Sequence, residues 1–176
     1  MTQDVYAARP GEAGSPYTLM DRYTRSGKRI TVTDRVLDCM LDGVTVVTTA
    51  YEGRYWGLSV AWVSRIAGSE PLVVAVVAHS SHTHGFIQKA GVFAMNILAE
   101  DQVEVARHFG RQTGREVDKF KRQDHYWEVR TTGAPILLDA LGYLDCRVVD
   151  VYDPPGGDHT LFIGRVVDAG RLREVA

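Results

Sequence analysis

VTVVTTAYEGRYWGLSVAWVSRIAGSEPLVVAVVA, residues 44–78, decides the fold class. Val44–Ala50 (VTVVTTA) is rich in β-branched residues and reads as a strand, and Glu52-Gly53 is a turn signal. Leu58–Val63 (LSVAWV) reads as a second strand, paired with the first as a hairpin. Leu72–Ala78 (LVVAVVA) is a continuous apolar run, as expected of a strand buried on both faces. A parallel neighbour needs a crossover of a dozen or more residues, and the gaps between these runs are too short for one. The pattern is therefore antiparallel, and an alternating α/β fold is disfavoured.

Outward from this stretch the same alternation continues. Val92–Leu98 (VFAMNIL), Tyr143–Tyr152 and Thr160–Val167 are further strands, the last two joined by the turn-rich Asp153-Pro154-Pro155-Gly156-Gly157. Short helices are expected at His82–Ala90 and at Gln102–Phe109. Asp101 and Glu104 resemble a capping box for the second, and Gly110 its stop. Upstream, Asp34 suits an N-cap, with Val36, Leu37, Met40 and Leu41 on one helical face and Gly43 beyond them. Residues 1–33 carry Gly, Pro and scattered charge without apolar period and read as an extended arm, and the charged stretch 111–125 as a surface excursion. The whole is one mainly β domain over 34–176, a closed or nearly closed antiparallel barrel with short helices.

Composition narrows the function. Lys plus Arg number 20 and Asp plus Glu 22, for a net charge of −2, which gives no footprint for nucleic acid or an anionic membrane. The apolar runs are too short to span a bilayer, and the first residues lack the apolar core of a secretory signal. Cys39 and Cys146 form no metal or redox spacing and read as reduced core residues, so a cytoplasmic location is the default.

Four features could carry chemistry. In His79-Ser80-Ser81-His82-Thr83-His84 a strand gives way to a helix N-terminus. Amides, hydroxyls and the helix dipole there would favour an anion, although simple N-capping needs only one of those hydroxyls. The three histidines invite a metal reading, but His82 and His84 point to different sides of a helix and no carboxylate lies nearby in sequence; no metal is expected. Gly57-Leu58-Ser59-Val60-Ala61 lacks the final glycine of a nucleophile elbow, so Ser59 and Trp62 read as strand residues beside a ligand groove, with Trp62 equally suited to the core. Asn96 shares a strand face with Ala94, where a buried amide needs a partner and a small neighbour leaves room for a planar ligand. Finally, His159 follows a flexible loop at the mouth of a strand.

Taken in order, GVTVVTT (43–49), GLSVAWVS (57–64), HSSHTHGFI (79–87), GVFAMNILAEDQ (91–102), ARHFG (106–110), Asp118-Lys119-Phe120 and GDHTLFIGRV (157–166) resemble the flavin reductase-like family, which has the FMN-binding split-barrel fold. The resemblance implies a homodimer that uses NADH or NADPH to reduce FMN or FAD, and a partner monooxygenase that receives the reduced flavin. It also implies that Ser59, Val60, Ala61 and Trp62 border the isoalloxazine, and that Ser80, Ser81 and Thr83, flanked by His79 and His84, hold the ribityl phosphate. Ala94 and Asn96 would line the groove, Lys119 and Phe120 close over it, and His159 lie near the nicotinamide. Two other readings stay open: a flavoprotein that keeps its flavin and passes electrons to a protein or ferric complex, and a non-catalytic flavin-binding module. The chain departs from the pattern at 64–71, where Pro71 is a lone proline in place of the common pair.

Overall fold

The computed structural model describes residues 44–67, 69–121 and 126–173, all within the unit spanning 43–176. The expected arm, the helix after Asp34 and Cys39 lie outside the described residues. Nine strands and two helices follow in order among those described: β1 (Thr45–Tyr51), β2 (Arg54–Val60), β3 (Val63–Arg65), β4 (Leu72–Ala78), α1 (His82–Ala90), β5 (Val92–Ile97), α2 (Val103–Arg111), β6 (Trp127–Val129), β7 (Pro135–Leu137), β8 (Gly142–Tyr152) and β9 (His159–Arg171).

Seven strands form one antiparallel sheet in the order β2-β1-β5-β8-β9-β4-β3, and β6 with β7 forms a separate hairpin. The edge strands β2 and β3 are consecutive in sequence, separated only by Ala61 and Trp62. Laid flat, a seven-stranded sheet would hold its edges about 29 Å apart. A link from Val60 to Val63 spans at most about 11 Å. The sheet must therefore curl on itself, and the barrel expected from the sequence follows from this short link. The run 58–63 is not one strand, because the chain leaves one edge at Val60 and joins the other at Val63.

Period-two alternation then sorts side chains to two environments. Val47, Val60, Val73, Ala75, Val77, Phe93, Met95, Cys146 and Phe162 fill the interior, and Ile87 of α1 joins them. Burial pushes the Cys146 thiol up to about 12, as befits an inert core residue. Gly164 faces the same interior, where an added Cβ would lie 2.5 Å from the Phe93 ring and 2.9 Å from the Cys146 Cβ. Helix α1 ends as its sequence indicates, at Gly91 with φ 65°, whose N–H donates to the Ile87 carbonyl.

Helix α2 and the β6–β7 hairpin cover the outer surface. Ser59 Oγ on β2 donates to the Ala106 carbonyl of α2 at 2.7 Å, and Gly57 leaves room for the Phe109 ring. The expected capping box does not form: Asp101 pairs with Arg173, Glu104 with Arg107, and Gln102 Oε1 accepts from the Ala99 amide at 2.9 Å. The hairpin was not expected from sequence, its strands being three residues each.

Gly164→Ala must displace an aromatic ring in a filled interior. Overpacking of this kind costs about 1–3 kcal/mol. A urea melt of the variant is expected to show that loss; unchanged stability would mean the interior is looser than described.

Candidate functional site

Antiparallel pairing of β4 with β9 sets Ala78 opposite His159, which brings the residues after β4 alongside those before β9. The His79 amide donates to the Asp158 carbonyl at 2.9 Å and fixes this corner. Trp62, at the link between the sheet edges, reaches the same place. Its ring centroid is 4.8 Å from that of His159, and it is 49% exposed, so it is not a core residue. His159 Nδ1 donates to the Asp158 carboxylate at 2.6 Å, which holds that acid below the usual carboxylate range.

A polar chain continues from this corner. His79 Nε2 donates to Asp153 at 3.2 Å, the Thr160 hydroxyl also donates to Asp153, and His84 Nε2 meets the Thr160 hydroxyl at 2.7 Å. Asp153 is held below its ordinary range, first by the Thr160 hydroxyl and then by His79. His84 is pushed down chiefly by burial, with His79 adding to the effect. The carboxylate absent from the neighbourhood of His79 in sequence is supplied from 74 residues away.

Between these groups lies the first turn of α1. Ser81 is its N-cap residue, in an extended conformation, yet its side chain makes no capping bond. The simplest alternative to an anion site, a serine hydroxyl spent on the helix end, is thus not realised at Ser81. Ser80 is exposed, Ser81 half-buried and Thr83 buried. His82 points away from His84, as helical spacing requires, and packs edge-on against Phe86 at 5.0 Å. Its pKa is lowered by burial and then by Arg115, Arg54 and Lys119, so the far side of this turn faces a cationic region.

That region is a cleft of about 740 Å³ between β2 and the segment 114–121, lined by Arg54, Tyr55, Trp56, Arg115, Lys119 and Phe120 among others. Lys119 is buried, its Nζ donating to the Gly57 carbonyl at 2.8 Å and the Phe109 carbonyl at 2.7 Å, and desolvation lowers it to about 8. Phe120 packs edge-on against Tyr55, Phe109 and Trp127. Residues 114–121 of the stretch read as a surface excursion therefore fold back onto the barrel. Arg54 and the aromatic wall of β2 were missed in sequence, because a single cation at the start of a strand carries no pattern.

The remaining expected residues lie elsewhere. Ala94 and Asn96 are completely buried on the outer face of β5, beneath the hairpin. Asn96 Nδ2 donates to the Val46 carbonyl at 3.1 Å and its Oδ1 accepts from the Leu137 amide at 2.7 Å. The amide thus pins the hairpin to the sheet, which corrects the expectation that this pair lines a groove. Val60 belongs to the core, Ser59 is bound to α2, and Ala61 is half-buried at the link.

Residues 37–175 match the family model described as the flavin reductase like domain. The chain belongs to the flavin reductase-like family. It is 34% identical over 139 residues to the reductase subunit HsaB of a flavin-dependent monooxygenase from Rhodococcus jostii, covering 79% of this chain and 68% of that one. It is 39% identical over 127 residues to the reductase component of a 4-nitrophenol 4-monooxygenase/4-nitrocatechol 2-monooxygenase from Rhodococcus opacus, covering 72% of this chain and 64% of that one. Among solved structures, the Streptomyces globisporus NADH:FAD oxidoreductase superposes with a TM-score of 0.69 at 30% identity, covering 83% of this chain and 88% of that one. The family's split barrel is the curled sheet described above.

Lys119 provides a pH test. Its folded pKa of about 8 lies below the ordinary lysine value of 10.5, so between the two the unfolded chain holds the extra proton. Stability should rise with pH across that window, by at most about 1.4 kcal/mol per pH unit. A neutral amine still has two N–H groups, enough for both carbonyls. Urea unfolding between pH 8 and 10 should show this slope in the wild type and lose it in Lys119→Met; equal slopes would refute the burial of the amine.

Proposed function

We propose that this chain is an NAD(P)H:flavin oxidoreductase that supplies reduced FMN or FAD to a partner monooxygenase. Membership of the family supports it, as do the activities of the relatives named above. The observation that carries it for this chain is convergence: Trp62, the 79–84 turn and His159, remote in sequence, share one corner beside a cationic, aromatic cleft.

The residues present fit a flavin. A cleft of about 740 Å³ is of the size that holds a small cofactor. The N-terminus of α1, with Ser80, Ser81 and Thr83, offers amides and hydroxyls to a phosphate, and Arg54, Arg115 and Lys119 place positive charge on the His82 side. In this reading Ala61 and the exposed face of Trp62 border the ring system, and Phe120 closes the cleft wall. When bound, the flavin supplies the redox chemistry by accepting hydride from the reduced nicotinamide. The protein's share is alignment and exclusion of water. His159, held by Asp158 and against Trp62, orients the nicotinamide.

The reading extends to a cytoplasmic homodimer. No helix among the described residues is long and apolar enough to cross a membrane. Val149, Val151 and Tyr152 of β8 and Val167 of β9 leave apolar side chains exposed on adjacent strands, which suits burial against a second copy. Sedimentation should give twice the chain mass, and a monomer at micromolar concentration would remove this part.

The activity is tested by steady-state oxidation of NADH and NADPH with added FMN or FAD. Saturation by free flavin is expected. Turnover on retained flavin with an external acceptor alone would favour an electron-transfer flavoprotein, and no oxidation would leave only a binding module. His159→Ala should slow the hydride step about 10- to 100-fold while flavin affinity stays within about twofold. Parallel loss of both would move His159 into the flavin site.

A further inference from the structure

Three side chains from separate parts of the fold meet behind the α1 turn: His79 after β4, His84 in the first turn of α1 and Asp153 after β8. One ligating atom from each lies within 4.8 Å of the others. We propose that His79, His84 and Asp153 form a binding site for a divalent transition metal of the zinc type, which ties the 153–158 loop to the start of α1. Nothing in this proposal depends on flavin.

The donor set points to that class of ion. Two imidazoles with one carboxylate suit zinc, cobalt, nickel or copper, whereas magnesium and calcium favour oxygen ligands throughout. Bonds of about 2.0–2.2 Å require ligand atoms some 3.5 Å apart. His79 Nε2 and Asp153 Oδ1 already lie at 3.2 Å, and both side chains are free to adjust, at 44% and 61% exposure. The remaining approach is within the reach of small side-chain rotations.

The surroundings already gather the three ligands: Asp153 accepts from His79 and from the Thr160 hydroxyl, which His84 Nε2 meets at 2.7 Å. Thr160, buried on β9, donates to Asp153 and would keep orienting that carboxylate once the metal replaced the proton at His84. His84 is further fixed by edge-on packing against Phe162 at 5.2 Å, so one ligand sits on a rigid wall of the barrel. Three protein ligands leave the rest of the coordination sphere open to solvent on the His79–Asp153 side. The loop that the metal would fix ends at Asp158-His159, so occupancy would also limit the motion of His159.

The test uses the full-length, untagged chain after treatment with a chelator. Titration with cobalt(II) should produce visible d–d absorption that saturates at one equivalent per chain and is displaced by zinc(II). Calorimetry with zinc should show affinity falling at least about 100-fold in His79→Gln and in Asp153→Asn, because each removes one of three ligands. Both positions are exposed, and circular dichroism melts without metal should match the wild type. His82→Ala, on the other side of α1, should bind as the wild type does. Absence of the cobalt spectrum, or zinc binding that His79→Gln and Asp153→Asn leave intact, would overturn the site; loss of binding in His82→Ala would do the same by relocating it.

Discussion

The two-residue link Ala61–Trp62 is the constraint on which the rest of this structure depends. It joins strands at opposite edges of a seven-stranded sheet, so the sheet has to curl until those edges meet. Curling encloses the interior that Phe93, Met95 and Phe162 fill. It also leaves Trp62 on the seam, its carbonyl accepting from the Val76 amide at 3.0 Å. A large aromatic at a seam cannot enter the core without opening it. It is therefore displayed, and the β4–β9 pairing that sets Ala78 opposite His159 gives its ring a neighbour.

Each strand near the seam serves two clients through its alternating faces. On β2, Val60 is directed into the barrel while Ser59 hydrogen-bonds α2 and Gly57 admits Phe109. On β5, Phe93 and Met95 fill the interior while Asn96 holds the hairpin. A buried amide without partners would cost about 1–3 kcal/mol, and here both ends of the side chain are engaged. The outer layer is thus attached by a few polar contacts placed among apolar ones, which fixes its register as well as its affinity for the sheet.

Much of this is legible in the sequence. Leu72–Ala78 and His82–Ala90 fall where hydrophobic period and turn chemistry place them. The sequence also groups Ser80, Ser81 and Thr83 at a helix start, and Ser81 is the N-cap residue. What could not be read were encounters set by topology. LSVAWV looks like one strand because the strand break at Ala61–Trp62 carries no glycine or proline. Asn96 looks like a ligand contact because a three-residue hairpin strand such as Pro135–Leu137 has no detectable period. Asp153 is invisible as a neighbour of His79 because the pair meets only through the pairing of β9 with β4. Lys119, in a charged run, looks solvated until two carbonyls are found to claim its amine.

The first turn of α1 lies between two electrostatically opposite surroundings. One side presents His84 to Thr160 and Asp153, a hydrogen-bonded array in which every member has a partner. The other presents His82 towards Arg54, Arg115 and Lys119, cations that lower its pKa. A helix start between a carboxylate-bearing array and a cationic cleft has a built-in electrostatic direction. Negative charge is repelled by Asp153 on the first side and attracted on the second, with the helix dipole adding to the attraction. An anionic ligand at this turn would therefore extend towards Arg54 and Arg115, while cations collect at His79 and Asp153. The same nine-residue helix can thus separate two kinds of ligand by charge alone, with no side chain shared between them.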